Sequence, residues 1–204
     1  IQHGVGVLAA GLVDHVLDID IFFTNEIQKS GDHARHIPMD HAKSGRAHAF
    51  QLHIGQIDIP LVVVGRPSAY KDELMQLIQK YGLEKRVIFL HQVPMEDLPV
   101  LYRLATLFVY PSHFEGFGIP ILEAMTCQTP VITSTGSCFE ETGGAAACYV
   151  DSHNAADLSA AIERILTDGQ LAEKMVQAGN LQAAKFSDAS IAKAMTDVYA
   201  KLRK

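Results

Sequence analysis

From residue 59 onward, short runs of Val, Ile, Leu and Phe alternate with stretches whose apolar residues recur every three or four positions. This beat constrains the fold more than any other feature. IPLVVVG reads as a buried strand, DELMQLIQKYG as an amphipathic helix closed by Gly82, RVIFL as a strand, and LPVLYRLA as a helix with Pro99 in its first turn. LFVYPS, PVITS and ACYVD continue as strands, IPILEAMTC as a helix and FEETGG as a short helix or turn. Three helical segments then close the chain: AADLSAAIERILTDG, QLAEKMVQAGNLQAAKF and ASIAKAMTDVYAKLRK. Strands of nearly continuous Val, Ile and Leu, each followed by a helix, specify a parallel sheet covered on both faces. The expected fold is α/β, a Rossmann-like domain over residues 59–204.

Residues 1–58 do not follow the beat and read as an irregular N-terminal extension of uncertain origin. They hold seven of the ten histidines, and residues 30–47 show neither helical nor strand period. AFQLHI alternates like a strand, yet only GQID separates it from IPLVVVG, too short for a parallel crossover. His33, His36 and His41 have a metal-like spacing without a fourth ligand, so no metal site is expected. The histidine density suggests a segment foreign to the domain that follows.

A net charge of −6, with lysines and arginines scattered rather than clustered, argues against a nucleic-acid partner. No apolar run is long enough to span a bilayer, and GVGVLAAGLV lacks the basic flank of a signal peptide, so a cytoplasmic location is expected. Cys127, Cys138 and Cys148 lack metal-like spacing and read as reduced packing residues.

The stretch HFEGFGIPILEAM carries the chemistry. In open parallel sheets, ligands sit beyond the carboxyl ends of strands, where loops lead into helix N-termini. Gly116 and Gly118 would let a ligand approach the backbone, and Pro120 would fix the helix start. Free N–H groups around Gly118 to Ile121 would face a polar or anionic group. Glu115 would lie on the loop and Glu123 about one turn into the helix, turned away from Leu122 and Met125 on the core side. Two carboxylates repel phosphate but accept paired hydrogen bonds from vicinal diols, which points to sugar or ribose recognition. A bare Glu-x7-Glu spacing would more often be a solvated pair; the glycines, the Pro120 start and the preceding Pro-Ser turn favour a site.

FVYPSHFEGFGIPILEAMTCQTPVI resembles the signature region of the family-4 retaining glycosyltransferases, whose GT-B fold binds a nucleotide-sugar donor on its C-terminal Rossmann-like domain. The resemblance runs from about Leu61 through Leu202 and includes VVVG, DLPVLYRLATLFVYPS and PVITS followed by Glu140. It implies that Glu115, the assigned catalytic-site residue, contacts the hydroxyls of the donor sugar. It implies also that Gly116, Phe117, Gly118 and Ile119 lie at the donor with main-chain contacts to sugar and phosphate, that Glu123 takes the ribose diol, and that the backbone near Gln92 and Val93 holds the base. The family's domain opens with a strand and a Gly-Arg-x4-Lys loop whose cations neutralise the diphosphate. Arg66 and Lys71 in GRPSAYK have that spacing, whereas the DELMQLIQKYGLEKRVIFL block matches the family's second strand-helix unit, so both placements stay open. His91 and Gln128 stand where the family usually has glycine.

The reaction implied is transfer of a sugar from a nucleotide diphosphate sugar to an acceptor hydroxyl with retention, without metal or cofactor. The acceptor would be a carbohydrate or lipid-linked molecule, held by a separate N-terminal domain through which peripheral membrane association would arise. A nucleotide-sugar epimerase of GT-B fold, or an inactive binding fragment, are the alternatives.

Overall fold

A computed structural model of the protein describes residues 20–23, 59–65, 69–80 and 82–203, with the backbone alone at 20–23, 69–73 and 77. Strands β1 (Asp20–Phe23), β2 (Leu61–Val64), β3 (Val87–Leu90), β4 (Leu107–Tyr110), β5 (Val131–Ser134) and β6 (Cys148–Val150) form one sheet in the order β3-β2-β1-β4-β5-β6. The helices are α1 (Ala69–Lys80), α2 (Leu98–Leu104), α3 (Ile119–Thr126), α4 (Phe139–Gly143), α5 (Ala155–Thr167), α6 (Gly169–Ala184) and α7 (Asp188–Leu202). Each strand and helix expected after residue 59 is present.

The strands bury both faces because alternate residues point into two separate cores. Leu61, Val63, Leu107, Val109, Ile132 and Val150 pack with Ile78 of α1, Leu158, Ile162 and Ile165 of α5, and Met175 of α6. Val62, Phe108, Tyr110 and Val131 pack on the other face with Leu101 and Tyr102 of α2, Ile121, Ala124 and Met125 of α3, and Phe139 of α4. Each of these apolar strand residues therefore removes apolar surface from water at roughly 25 cal/mol per Å², whichever face it takes. Helix starts follow their sequence signals: the Asn154 side chain accepts from the Ala156 and Asp157 N–H groups, and Asp168 accepts from Leu171 N–H. At the end of α1, Gly82 adopts φ 64° and Leu83 N–H donates to the Ile78 carbonyl, closing the helix where the sequence places its stop.

The sheet departs from the expected parallel order at one position. β2 and β3 run parallel, as do β4, β5 and β6, but β1 is antiparallel to both β2 and β4. Its residues belong to the stretch read as an irregular extension; four residues are too short to show a strand period, although DIFF carries a strand composition. AFQLHI and the His33–His41 run lie outside the described residues. Because β1 opposes both neighbours, β2 and β4 share a direction, and all five remaining strands end at one edge. In open α/β sheets ligands lie beyond the carboxyl ends of the strands, the edge at which these five strands end.

Candidate functional site

β4 delivers the chain to that edge. Tyr110 ends the strand, Pro111 and Ser112 are buried, and residues 113–118 cross the sheet edge to α3. Gly118 caps α3 with φ 82° and ψ 46°, a left-handed conformation, and an added Cβ would meet Ile121 Cδ1 at 3.1 Å. Gly116 differs: its φ is not left-handed and an added Cβ would meet nothing within 4 Å. The fold demands glycine at 118, whereas at 116 only something outside the chain would.

The two glutamates share a design. Glu115 is half-buried, and its Oε1 accepts from the Tyr110 hydroxyl at 2.6 Å; the Ser112 hydroxyl lies 3.1 Å from the same oxygen and 3.2 Å from the Phe114 carbonyl, its single proton serving one or the other. Glu123 is also half-buried, and its Oε2 accepts from the buried Tyr102 hydroxyl at 3.0 Å. Among the described residues, Glu115 Oε2 and Glu123 Oε1 accept no hydrogen bond. Each carboxylate is thus oriented by one oxygen and offers the other.

Two details of the first turn differ from expectation. Ile121 N–H already donates to the Gly118 carbonyl at 3.0 Å and Pro120 has no N–H, so Gly118 and Ile119 supply the open donors of this helix start. The core face of α3 is Ile121, Ala124 and Met125, while Leu122 is only half-buried. Phe117 and Ile119 are exposed at 37% and 60%; the Phe117 ring meets Phe186 edge-on at 5.4 Å, and its carbonyl accepts from the Thr142 hydroxyl. The side chains of both residues are thus open to the outside.

Gln92 and Val93 follow β3 at the same edge, Gln92 with φ 60°. β3 lies three strand positions from β4, about 14 Å at the usual strand spacing. His91 Nδ1 lies 2.9 Å from the Gly65 carbonyl and its ring stacks on Phe89, joining the ends of β2 and β3. Gln128, the other residue expected in a glycine position, has φ 64°. Arg66 lies outside the described residues, and Lys71 is placed in α1 without its side chain.

Sequence reasoning missed the supports. Tyr110 and Tyr102 read as core aromatics inside apolar runs, and nothing in the pattern separates a buried tyrosine with a polar duty from a phenylalanine. The three cysteines are free thiols; burial pushes Cys127 up against the opposing pull of Arg103, and burial likewise raises Cys148, which suits packing residues. Among the described residues no group of three His, Cys, Asp or Glu side chains is arranged to hold a metal, and no helix is long and apolar enough to cross a membrane.

These elements make an α/β protein whose sheet has the order β3-β2-β1-β4-β5-β6, with two half-buried carboxylates in and beside the β4–α3 junction. Residues 47–182 match the family described as glycosyl transferases group 1, and the chain belongs to that family. It is 41% identical over 128 residues to O-antigen chain mannosyltransferase B of Escherichia coli, covering 63% of this chain and 34% of that protein. Identity to D-inositol 3-phosphate glycosyltransferase of Corynebacterium jeikeium is 35% over 133 residues, 64% of this chain and 32% of the relative. The fold superimposes on sucrose-phosphate synthase from Thermosynechococcus elongatus with a TM-score of 0.61 at 33% identity, covering 69% of this chain and 38% of the other. It matches Anabaena Alr3699/HepE, solved with UDP and glucose, with a TM-score of 0.62 at 26% identity, covering 69% and 40%. The chain spans about a third of the length of these curated relatives, and its α/β fold resembles that of GT-B glycosyltransferases.

Proposed function

We propose that this chain is the donor-binding domain of a retaining hexosyltransferase that moves a sugar from a nucleoside diphosphate sugar to an acceptor hydroxyl without metal. The observation that carries the reading is the pair of half-anchored carboxylates. Glu115 and Glu123 each have one oxygen anchored by a tyrosine hydroxyl and the other without a hydrogen bond among the described residues, which suits hydrogen bonds from sugar and ribose hydroxyls. A base at Gln92 and Val93 and a sugar at Glu115 would lie about 14 Å apart, the gap filled by ribose and diphosphate. The Gly118 and Ile119 N–H groups would stabilise charge on the departing diphosphate, with Arg66 and Lys71 as the cations nearest in sequence to the β2 end. The mannosyltransferase relatives make GDP-mannose the first donor to try, and the UDP-glucose of the Anabaena structure the second. A carbohydrate or lipid-linked acceptor would be held by a further domain, in the cytoplasm.

Ligand at 100 times its dissociation constant adds roughly 2.7 kcal/mol of stability, an upward shift of about 5–10 °C in Tm for a chain of this size. Glu123→Gln keeps an acceptor for Tyr102 and removes only the charge, so nucleotide affinity should fall about tenfold while the unliganded Tm stays. No thermal shift with any UDP or GDP sugar would defeat the proposal. Conversion of free nucleotide sugar to its epimer, without acceptor, would replace it with an epimerase.

A further inference from the structure

The loop between β5 and α4 reaches across to the glutamate loop and grips it by the backbone. Ser137 Oγ donates to the Glu115 carbonyl at 2.9 Å and lies 3.4 Å from the Glu115 N–H, so one hydroxyl meets both polar groups of that residue's main chain. The Cys138 thiol adds a 3.4 Å contact to the same carbonyl. Five residues on, the Thr142 hydroxyl donates to the Phe117 carbonyl. The gripping loop is itself tied down, because Gly136 N–H donates to Glu140 Oε1 at 2.6 Å.

Ser137 makes these contacts at a cost. Its φ is 53°, directly after Gly136 at 85°, and a serine in the left-handed region carries strain that glycine would not. A residue chosen for the turn alone would be glycine. The side chain is exposed, so core packing does not account for it either. What serine supplies and glycine cannot is the hydroxyl on Glu115. That residue has its carboxylate fixed from below by Tyr110 and Ser112, and without the hold on its peptide the carboxylate could still meet Tyr110 while the loop shifts.

We infer that Ser137 is a positioning residue for the donor sugar: its hydroxyl sets the Glu115 main chain so that the open Glu115 oxygen faces the sugar. This rests on the donor-site reading above. Its hydroxyl acts on the Glu115 main chain, so its effect is expected at the part of the donor that Glu115 touches.

The test compares binding of GDP-mannose with GDP, and of UDP-glucose with UDP, by calorimetry on the full chain, alongside thermal melting. The wild type should bind its sugar nucleotide more tightly than the bare nucleotide, and Glu115→Gln should erase the difference. Ser137→Gly relieves the backbone strain, so its Tm should stay or rise, yet the preference for the sugar nucleotide should shrink about tenfold with the bare nucleotide unaffected. Ser137→Thr should show the reverse, a lower Tm because a β-branched residue is strained there, with the preference kept because the hydroxyl remains. Loss of sugar preference without loss of stability in the glycine variant, rescued by threonine, establishes the role. A glycine variant that keeps the wild-type preference while Glu115→Gln loses it overturns the inference and leaves the donor site standing. Absence of nucleotide binding by the wild type overturns the donor site itself, and the inference with it.

Discussion

Two glycines two residues apart in one loop should respond in opposite ways to the same methyl group. Gly118 sits at φ 82° and an alanine Cβ there would come within 3.1 Å of Ile121 Cδ1, whose side chain is fully buried against the sheet. Forcing an L-residue into the left-handed region costs about 1–2 kcal/mol. For a chain of this length, Gly118→Ala should therefore lower Tm by roughly 2–8 °C before any contribution from the crowded Ile121. Gly116→Ala meets open space at a backbone angle that alanine adopts, and restricting the unfolded chain there should leave stability unchanged or raise it by about 0.4–1 kcal/mol. If the donor approaches the main chain at 116, the same methyl intrudes on the ligand. Overpacking of about 1–3 kcal/mol would weaken binding about fivefold or more. Thermal melting of both variants, with and without GDP-mannose or UDP-glucose, reads both effects. An alanine at 116 that leaves both Tm and ligand affinity at wild-type values would refute the argument that this glycine is kept for a ligand.

Gln128 adopts φ 64° in the turn between α3 and Pro130, so Gln128→Gly should stabilise the chain by up to about 1 kcal/mol, seen as a higher urea midpoint; a lower midpoint would mean that the side chain contributes more than the strain costs. Burial, and secondarily Glu140, pushes the Tyr149 hydroxyl up to about 12 from its ordinary value of 10.0. The folded state thus favours the protonated phenol, and this contribution is full below pH 10 and is lost as pH rises through about 12. Tyr149→Phe should flatten that part of the alkaline urea-midpoint profile; an unchanged profile would exclude Tyr149 as its source.

The parallel sheet was legible because buried strands and amphipathic helices write different periods, and from Leu61 to Val150 the two alternate without interruption. The junction at Glu115 was legible for a different reason: the glycines, Pro120 and the acidic pair concentrate unusual residues where an open sheet places its ligands. β1 was not, since Asp20–Phe23 offers two periods at most and gains its place from pairing with β2 and β4, a long-range contact that local pattern does not encode. The supports were hidden too. Ser137 lies 22 residues from Glu115 and Tyr102 lies 21 from Glu123, and only the folded sheet brings them together. Gln128 is instructive, since its resemblance to a glycine position became a backbone angle that glycine favours.

The central claim is that the open oxygens of Glu115 and Glu123 hold the hydroxyls of an activated sugar at the edge where β4 ends. A crystal structure of the chain with GDP-mannose or UDP-glucose bound tests it most directly. The account predicts a sugar hydroxyl about 2.5–3.0 Å from Glu115 Oε2 and the ribose hydroxyls at similar distance from Glu123 Oε1, with Tyr110 and Tyr102 still on the opposite oxygens. A donor bound elsewhere on the chain, or bound at this edge with both carboxylates turned to solvent, would contradict it.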